Sequence, residues 1–114
     1  MAVKLAHLIK FVGDMDKGVA FHPDGLGLKL KFASPEWSEF ITGETTLALH
    51  PASPDHPAGT AMAGYKTDDL KALYAARERL GLTFTDAPAD MHGTLMAHFL
   101  DVDGAMCTIE QTRG

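Results

Sequence analysis

The spacing of apolar and polar residues predicts a strand followed by a helix, and this pattern occurs twice along the chain. Residues 5–12 are mostly apolar and suited to a strand, with His7 and Ile9 on one face. Residues 59–67 form a second such stretch. Each stretch leads into an aspartate that can cap a helix, Asp14 in the first half and Asp68 or Asp69 in the second.

The two predicted helices differ in how clearly the sequence marks them. In the second helix Leu70, Leu73 and Leu80 lie near one stripe, and Gly81 is a good C-terminal stop. The first helix carries a short apolar run and is predicted to end near His22, because a proline at the next position disfavours a helical residue before it.

Three further strands are predicted after each helix. They cover residues 28–33, 37–41 and 45–50 in the first half, and residues 82–85, 94–101 and 105–112 in the second. Residues 51–58 contain three prolines and no periodicity, which is typical of a linker. We therefore expect one domain over residues 1–114, with module 1 at about 1–50, the linker at 51–58 and module 2 at about 59–114.

This order is βαβββ in each module and predicts the α+β class. Interleaved helices and largely antiparallel strands favour a mixed sheet with the helices packed on its outer face. The other face of a curved sheet then forms a cup in which a small molecule can lie. The two modules also share short sequence features: a Leu-Gly-Leu pair recurs after 54 positions, and Asp14-Met15 corresponds to Asp69-Leu70 after 55. One duplicated module explains this better than a solenoid, which needs at least three repeats.

The composition and charge of the chain exclude some classes of function. The 114 residues carry a net charge of −5, which argues against nucleic acid as a partner because nucleic-acid binding needs a basic surface. No apolar window is long enough for a membrane span, and the first residues lack the features of a secretory signal. Cys107 is the only cysteine, which excludes an internal disulfide and fits a reduced cytoplasmic setting, and its strand neighbours predict a buried, inert thiol.

Several segments together resemble a known family. They are His7 with Val12-Gly13-Asp14-Met15, then Phe21 and Leu26-Gly27-Leu28-Lys29-Leu30, and later the turn Phe99-Leu100-Asp101-Val102-Asp103-Gly104. Their order and spacing resemble the vicinal oxygen chelate superfamily, which includes glyoxalase I, extradiol dioxygenases and bleomycin-resistance proteins. The resemblance covers nearly the whole chain and implies two βαβββ modules around a ligand-binding cup, while leaving the activity open.

The resemblance also implies four positions for metal ligands. Metal-using members of the family place one ligand on the first strand and one on the last strand of each module. Carried over, these positions fall at His7, Ala48, Met62 and Thr108. Only His7 is a ligand type that a divalent ion prefers.

A shifted ligand set is the alternative. His50 and Glu110 each follow one of the family positions by two residues, so each stays on the same strand face. His7, His50 and Glu110 would then suit Fe(II) at a facial triad, or zinc, nickel or manganese with an open coordination position. In that case the metal would hold two adjacent oxygens of a substrate.

Other residues are candidates for ligand contact. Trp37 and Glu39 share a strand face, and an aromatic ring beside a carboxylate suits a cationic ligand, although a tryptophan in such a place is often core or interface. His92 lies in a loop over residues 86–93 that either covers the cup as a lid or is simply mobile. We expect the ligand-binding residues to be His7, Trp37, Glu39, Ala48, Met62, His92 and Thr108.

Two functions remain open on the sequence alone. The first is a small-molecule binding protein without the family metal, like the bleomycin-resistance branch, and the loss of three family ligands favours it. The second is a divalent-metal-dependent enzyme of the glyoxalase or extradiol dioxygenase type, which His7 and the shifted set favour. The sequence does not decide whether the protein is catalytic. The resemblance implies a homodimer in either case.

Overall fold

The structure is a computed structural model that describes residues 2–112. Within this range it has nine strands and three helices, which confirms the predicted α+β class. No helix among these residues is long and apolar enough to cross a membrane. The elements in chain order are β1 (Val3–Val12), α1 (Met15–Leu26), β2 (Lys29–Phe32), β3 (Ser38–Ile41), β4 (Thr46–Pro51), β5 (Ala61–Thr67), α2 (Leu70–Ala75), α3 (Arg77–Leu80), β6 (Thr83–Phe84), β7 (Ala89–Met91), β8 (Thr94–Leu100) and β9 (Met106–Gln111).

The described residues fall into two compact units. The N-terminal unit comprises residues 6–62, and the C-terminal unit comprises residues 2–5 together with 63–112. Each predicted strand is found, with ends within two residues of the predicted ones. Each unit begins its repeat with a strand, continues with helix, and ends with strands, so the βαβββ order is recognisable in both.

The N-terminal unit is a mixed sheet with one helix on one of its faces. Its strand order is β2-β3-β4-β1, in which β1 and β4 are parallel and the other pairs are antiparallel. Helix α1 packs on the face that carries Ser38, Phe40 and Leu49. The helix comes so close at Gly18 that an added Cβ would lie 3.1 Å from Leu49 Cδ1. Phe40 and Leu49 are fully buried as a result.

The opposite face of the N-terminal unit carries no helix. The register places Ile9 opposite Ala48, and Glu39 opposite Ala48 on the other side, so these residues share that face. Ile9, Phe11 and Ala48 form a buried cluster there. We call this surface the helix-free face of the N-terminal unit. The candidate site lies on this face.

The C-terminal unit repeats this arrangement. Its strand order is β5-β9-β8-β6, with β5 and β9 parallel and with β7 added as a partner of β8. Its core joins helix α2 to the sheet through Leu70, Leu73, Ala97 and Ile109. Since strand residues alternate between faces, His98, between Ala97 and the core residue Phe99, points to the face without a helix.

Helix α1 is longer than the sequence predicts. It continues through Pro23 and ends at Leu26, so the prediction of an end near His22 is wrong. Pro23 lacks only one N–H, and the helix ends one turn later, where Gly27 adopts a left-handed conformation. The N–H of Gly27 donates to Pro23 O and that of Leu28 donates to His22 O, so these two carbonyls near the helix end have partners.

Two features of the second half also differ from the prediction. The single helix predicted before Gly81 is divided at Ala76 into α2 and α3, and both Asp69 and Gly81 cap as predicted. The segment 86–93, predicted to be a lid or a mobile loop, instead contains β7, which pairs with β8. His92 lies in the turn between these strands with a φ of 56°. The sequence did not predict this tight hairpin because residues 86–93 lack an alternating pattern of apolar and polar residues.

The thiol of Cys107 is buried, as predicted, and this gives a first testable result. Burial, with a smaller effect from the charge of Asp101, raises the pKa of the Cys107 thiol. Because only the thiolate is nucleophilic, we expect iodoacetamide to label native Cys107 at least about tenfold more slowly than the same protein in denaturant. Mass spectrometry at several times measures both rates. Equal rates would contradict the burial of this side chain.

Candidate functional site

The centre of the candidate site is a hydrogen-bonded pair on the helix-free face of the N-terminal unit. Trp37 immediately precedes β3, and Glu39 is two residues further on, so the two side chains point to the same side. The indole Nε1 of Trp37 donates to Glu39 Oε2 at 2.7 Å. A short bond to a charged acceptor fixes the orientation of the indole ring.

The carboxylate of Glu39 is mostly buried and lies near two further polar groups. Its side chain is 14% exposed, with Lys31 Nζ 3.6 Å from Oε1 and His7 Nε2 3.9 Å from Oε2. Lys31 is itself largely exposed, and an exposed ion pair contributes little. A carboxylate offers about four lone-pair positions, so Glu39 keeps capacity to accept a donor from a ligand.

Five rings form a continuous row across this face, which we call the aromatic row. Trp37 contacts His7 and His50 with ring centroids 5.7 and 6.3 Å apart, in both cases nearly perpendicular. His50 also contacts Phe11 at 5.6 Å, and Phe11 stacks on His56 at 4.5 Å. Edge-to-face and stacked geometries are those that aromatic rings prefer. Within this row the Trp37 indole is half-buried and lies beside the Glu39 carboxylate, so its ring can contact a ligand.

His56 is a member of the row that sequence reasoning missed. It lies in the predicted linker, and its ring is half-buried against Phe11. A tight turn fixes it, since Ser53 and His56 exchange backbone hydrogen bonds and the Ser53 hydroxyl accepts from the His56 N–H. No periodicity in residues 51–58 signals this turn.

Ala48 and Met62 form part of the apolar floor below the row. Ala48 is fully buried, and Met62 packs against the cluster of Ile9, Phe11 and Ala48. Neither side chain offers a donor or a strong acceptor. Both predicted residues therefore lie on the same face as His7, Trp37 and Glu39, where they supply shape and not polarity.

In the N-terminal unit, the residues at the family's metal-ligand positions do not suit a divalent ion. They hold the imidazole of His7, the methyl group of Ala48 and the thioether of Met62, and a hard divalent ion prefers imidazole or carboxylate. Over residues 2–112, no group of three or more His, Cys, Asp or Glu side chains is arranged to hold a metal ion. These residues therefore do not fit a divalent metal ion.

The register also bears on the shifted ligand set. His7 lies opposite Thr46 and His50 lies opposite Phe11 on the parallel pair of β1 and β4. The two histidines are thus four residues apart along the strands, about 13 Å. The Nδ1 atom of His50 is 2.8 Å from the carbonyl oxygen of Pro51, and both rings contact Trp37. This offset argues against the two imidazoles binding one ion.

The remaining predicted residues belong to the C-terminal unit. Thr108 is buried on β9 opposite Gly64, and Glu110 is half-buried two residues later. Thr108 lies opposite the first strand of its unit, as Ala48 does in the other. His92 is exposed in the β7–β8 turn. Their role in ligand binding stays a prediction.

A comparison with models of protein families shows to which family the chain belongs. The model described as Glyoxalase/Bleomycin resistance protein/Dioxygenase superfamily matches residues 4–109. The chain belongs to the glyoxalase superfamily. This confirms the resemblance seen in the sequence. No curated protein matches this superfamily member in sequence.

Several solved structures share the fold at low sequence identity. Hypothetical protein BH1468 from Bacillus halodurans C-125 is 16% identical, with a TM-score of 0.79 over 100% of this chain and 97% of the other. A superfamily member from Vibrio splendidus 12B01 is 14% identical, with a TM-score of 0.65 over 96% and 98%. A methylmalonyl-CoA epimerase from Streptomyces coelicolor is 14% identical, with a TM-score of 0.72 over 97% and 98%. At these identities the likeness concerns the fold alone.

Proposed function

We propose that this glyoxalase superfamily member binds a planar aromatic cation against the aromatic row, without a metal. The observation that carries the proposal is the bond between Trp37 Nε1 and Glu39 Oε2, which holds an indole ring and a carboxylate side by side. The ring supplies apolar contact and attraction for a cation, and the carboxylate supplies the opposite charge.

The aromatic row supports a flat ligand. Rings whose orientation is already fixed lose little conformational entropy when a ligand binds, so more of the contact energy appears as affinity. Trp37 is fixed by Glu39 and by its contacts with His7 and His50. The half-buried Trp37 ring packs on the buried cluster of Ile9, Phe11 and Ala48, so apolar contact and a carboxylate lie side by side, as in small-molecule sites.

The charge of the surface supports a cation. Glu39 lies mostly buried, where a charge is screened less than at the surface, and its neighbour Lys31 is exposed. The whole chain carries a net charge of −5, which favours the approach of a positive ligand. An anionic ligand would meet the Glu39 carboxylate at close range.

The competing function is a metal-dependent reaction of the same superfamily, with His7, His50 and Glu110 as ligands for Fe, Zn, Ni or Mn. His7 is the residue that favours it. The composition of the family positions in residues 6–62 and the offset between His7 and His50 favour binding without a metal. The homodimer and the cytoplasmic setting stay predictions. Light scattering that finds only monomer would contradict the homodimer.

Exchange of Glu39 for glutamine tests the polar half of this site. The cation 9-aminoacridine and its neutral relative acridine have nearly the same shape, so their difference reports the charge. Because a hydrogen bond to a charged group contributes about 1.5–3 kcal/mol, we expect Glu39→Gln to weaken 9-aminoacridine about 10–100-fold. Acridine should change less than about threefold. Isothermal titration calorimetry measures both dissociation constants.

Glu36→Gln is the matched control, since Glu36 is exposed and the exchange removes the same charge. It should leave both dissociation constants unchanged within about twofold. Equal weakening by the two variants would show that only net charge matters. No saturable binding of either acridine to the wild-type protein would remove the proposed ligand class.

A further inference from the structure

The C-terminal unit holds a second polar group that the proposed function does not use. The Nδ1 atom of His98 lies 2.9 Å from Asp86 Oδ2, and the backbone N–H of His98 donates to Asp86 Oδ1 at 2.6 Å. One carboxylate thus binds both the backbone and the ring of the same residue. This double contact fixes the orientation of the imidazole.

The partner of His98 also decides which ring nitrogen carries the proton. An ionised carboxylate only accepts hydrogen bonds, so Nδ1 must be the donor. In the neutral ring Nε2 then carries a lone pair. Among residues 2–112 no hydrogen-bond partner of Nε2 is found, and the His98 side chain is 25% exposed. A fixed acceptor nitrogen is therefore available to a ligand.

Apolar side chains flank His98 along β8, and the carboxylate of Glu110 shares this face because Glu110 lies opposite Met96 on β9. Met96 and Leu100 lie two residues before and after His98 on β8, and therefore on the same face. Thr108 lies directly opposite on β9 and is buried. A hydrogen-bond acceptor between apolar side chains suits a hydroxyl group carried by an apolar ring.

We propose that His98 Nε2 binds and deprotonates the hydroxyl group of a phenol, with Asp86 as its positioning residue. In this step the phenolic O–H bond breaks, its proton goes to Nε2, and its electron pair stays on the phenolate oxygen. The imidazolium so formed donates Nδ1–H to Asp86, whose negative charge stabilises it. The site lies in the C-terminal unit and does not depend on the aromatic row.

The phenol 4-nitrophenol is the probe, because its phenolate has a separate absorbance band. We expect titration with protein to increase this band to saturation. His98→Gln should weaken binding at least about tenfold, since the acceptor nitrogen is lost. The methyl ether 4-nitroanisole has no hydroxyl proton and should bind the wild-type protein and His98→Gln equally weakly. Arg79→Gln, at an exposed side chain of helix α3 in the same unit, should behave as wild type.

Asp86→Asn tests whether Asp86 positions the His98 ring. The quantity measured is which ring nitrogen of His98 carries the proton, and a residue with a merely structural role would not change it. Nitrogen-15 NMR of the His98 ring should show Nδ1 protonated in the wild-type protein and a mixture of tautomers in Asp86→Asn, with binding of 4-nitrophenol weakened about 3–10-fold. Melting curves establish that each variant is folded. The proposal is wrong if the phenolate band does not grow, if 4-nitroanisole binds as tightly, or if folded His98→Gln binds as well as wild type.

Discussion

Replacement of Phe40 by alanine is expected to lower the free energy of unfolding by about 3–5 kcal/mol. The side chain is fully buried between helix α1 and the sheet of the N-terminal unit, and its ring lies 4.9 Å from that of His22. Removal of the ring leaves a cavity that helix α1 cannot fill, because Gly18 already lies against Leu49 and Val12. A domain of this size has about 5–15 kcal/mol of stability, so the loss is a large fraction of it.

Phe32→Ala is the matched control for this prediction. Phe32 is 43% exposed on β2, so the same change of side chain should cost less than about 1 kcal/mol. Urea denaturation followed by circular dichroism gives both values. Similar losses for the two variants would contradict the placement of Phe40 in the core.

Replacement of Trp37 by alanine is expected to weaken the binding of 9-aminoacridine about 30–1000-fold. This corresponds to about 2–4 kcal/mol, the usual cost of removing a tryptophan at the centre of a binding surface. The variant loses the ring surface and also the Nε1–H that orients Glu39. Calorimetry measures the change. Trp37→Phe keeps a ring but not the donor, and should weaken binding only about 3–10-fold.

Phe21→Ala controls for the loss of an aromatic side chain elsewhere. Phe21 is 55% exposed on helix α1, which packs on the opposite side of the sheet from the aromatic row, and the variant should bind as wild type. Melting curves show whether Trp37→Ala is folded. A folded Trp37→Ala that keeps its affinity within about threefold would place the ligand away from the aromatic row.

The fold could largely be predicted because several local signals agree. Strand alternation, the caps Asp14 and Asp69, and the C-terminal stop Gly81 mark the same boundaries that the structure shows. The predicted end of helix α1 was wrong because the local effect of a proline is weaker there than the rest of the helix and its packing. Pro23 was expected to end helix α1, but the helix continues to the left-handed stop at Gly27.

The site could be predicted only in part, because contact across strands depends on register. Parity along one strand was enough to place Trp37 and Glu39 on one face, and the family resemblance placed His7 in the cup. It did not show that Trp37 binds Glu39, or that four residues of register separate His7 from His50. The stacking of His56 on Phe11 and the bond between Asp86 and His98 join segments distant in the sequence. No periodic pattern reports contacts of that kind.

The measurement that tests the central claim most directly combines metal analysis with ligand binding. Elemental analysis of tag-free protein should find far less than one metal per chain. The dissociation constant of 9-aminoacridine should then be the same before and after chelation, and after soaking with Fe(II), Zn, Ni or Mn. Near-stoichiometric metal that His7→Ala abolishes, or binding that appears only with an ion, would contradict the account and favour the metal-dependent enzyme.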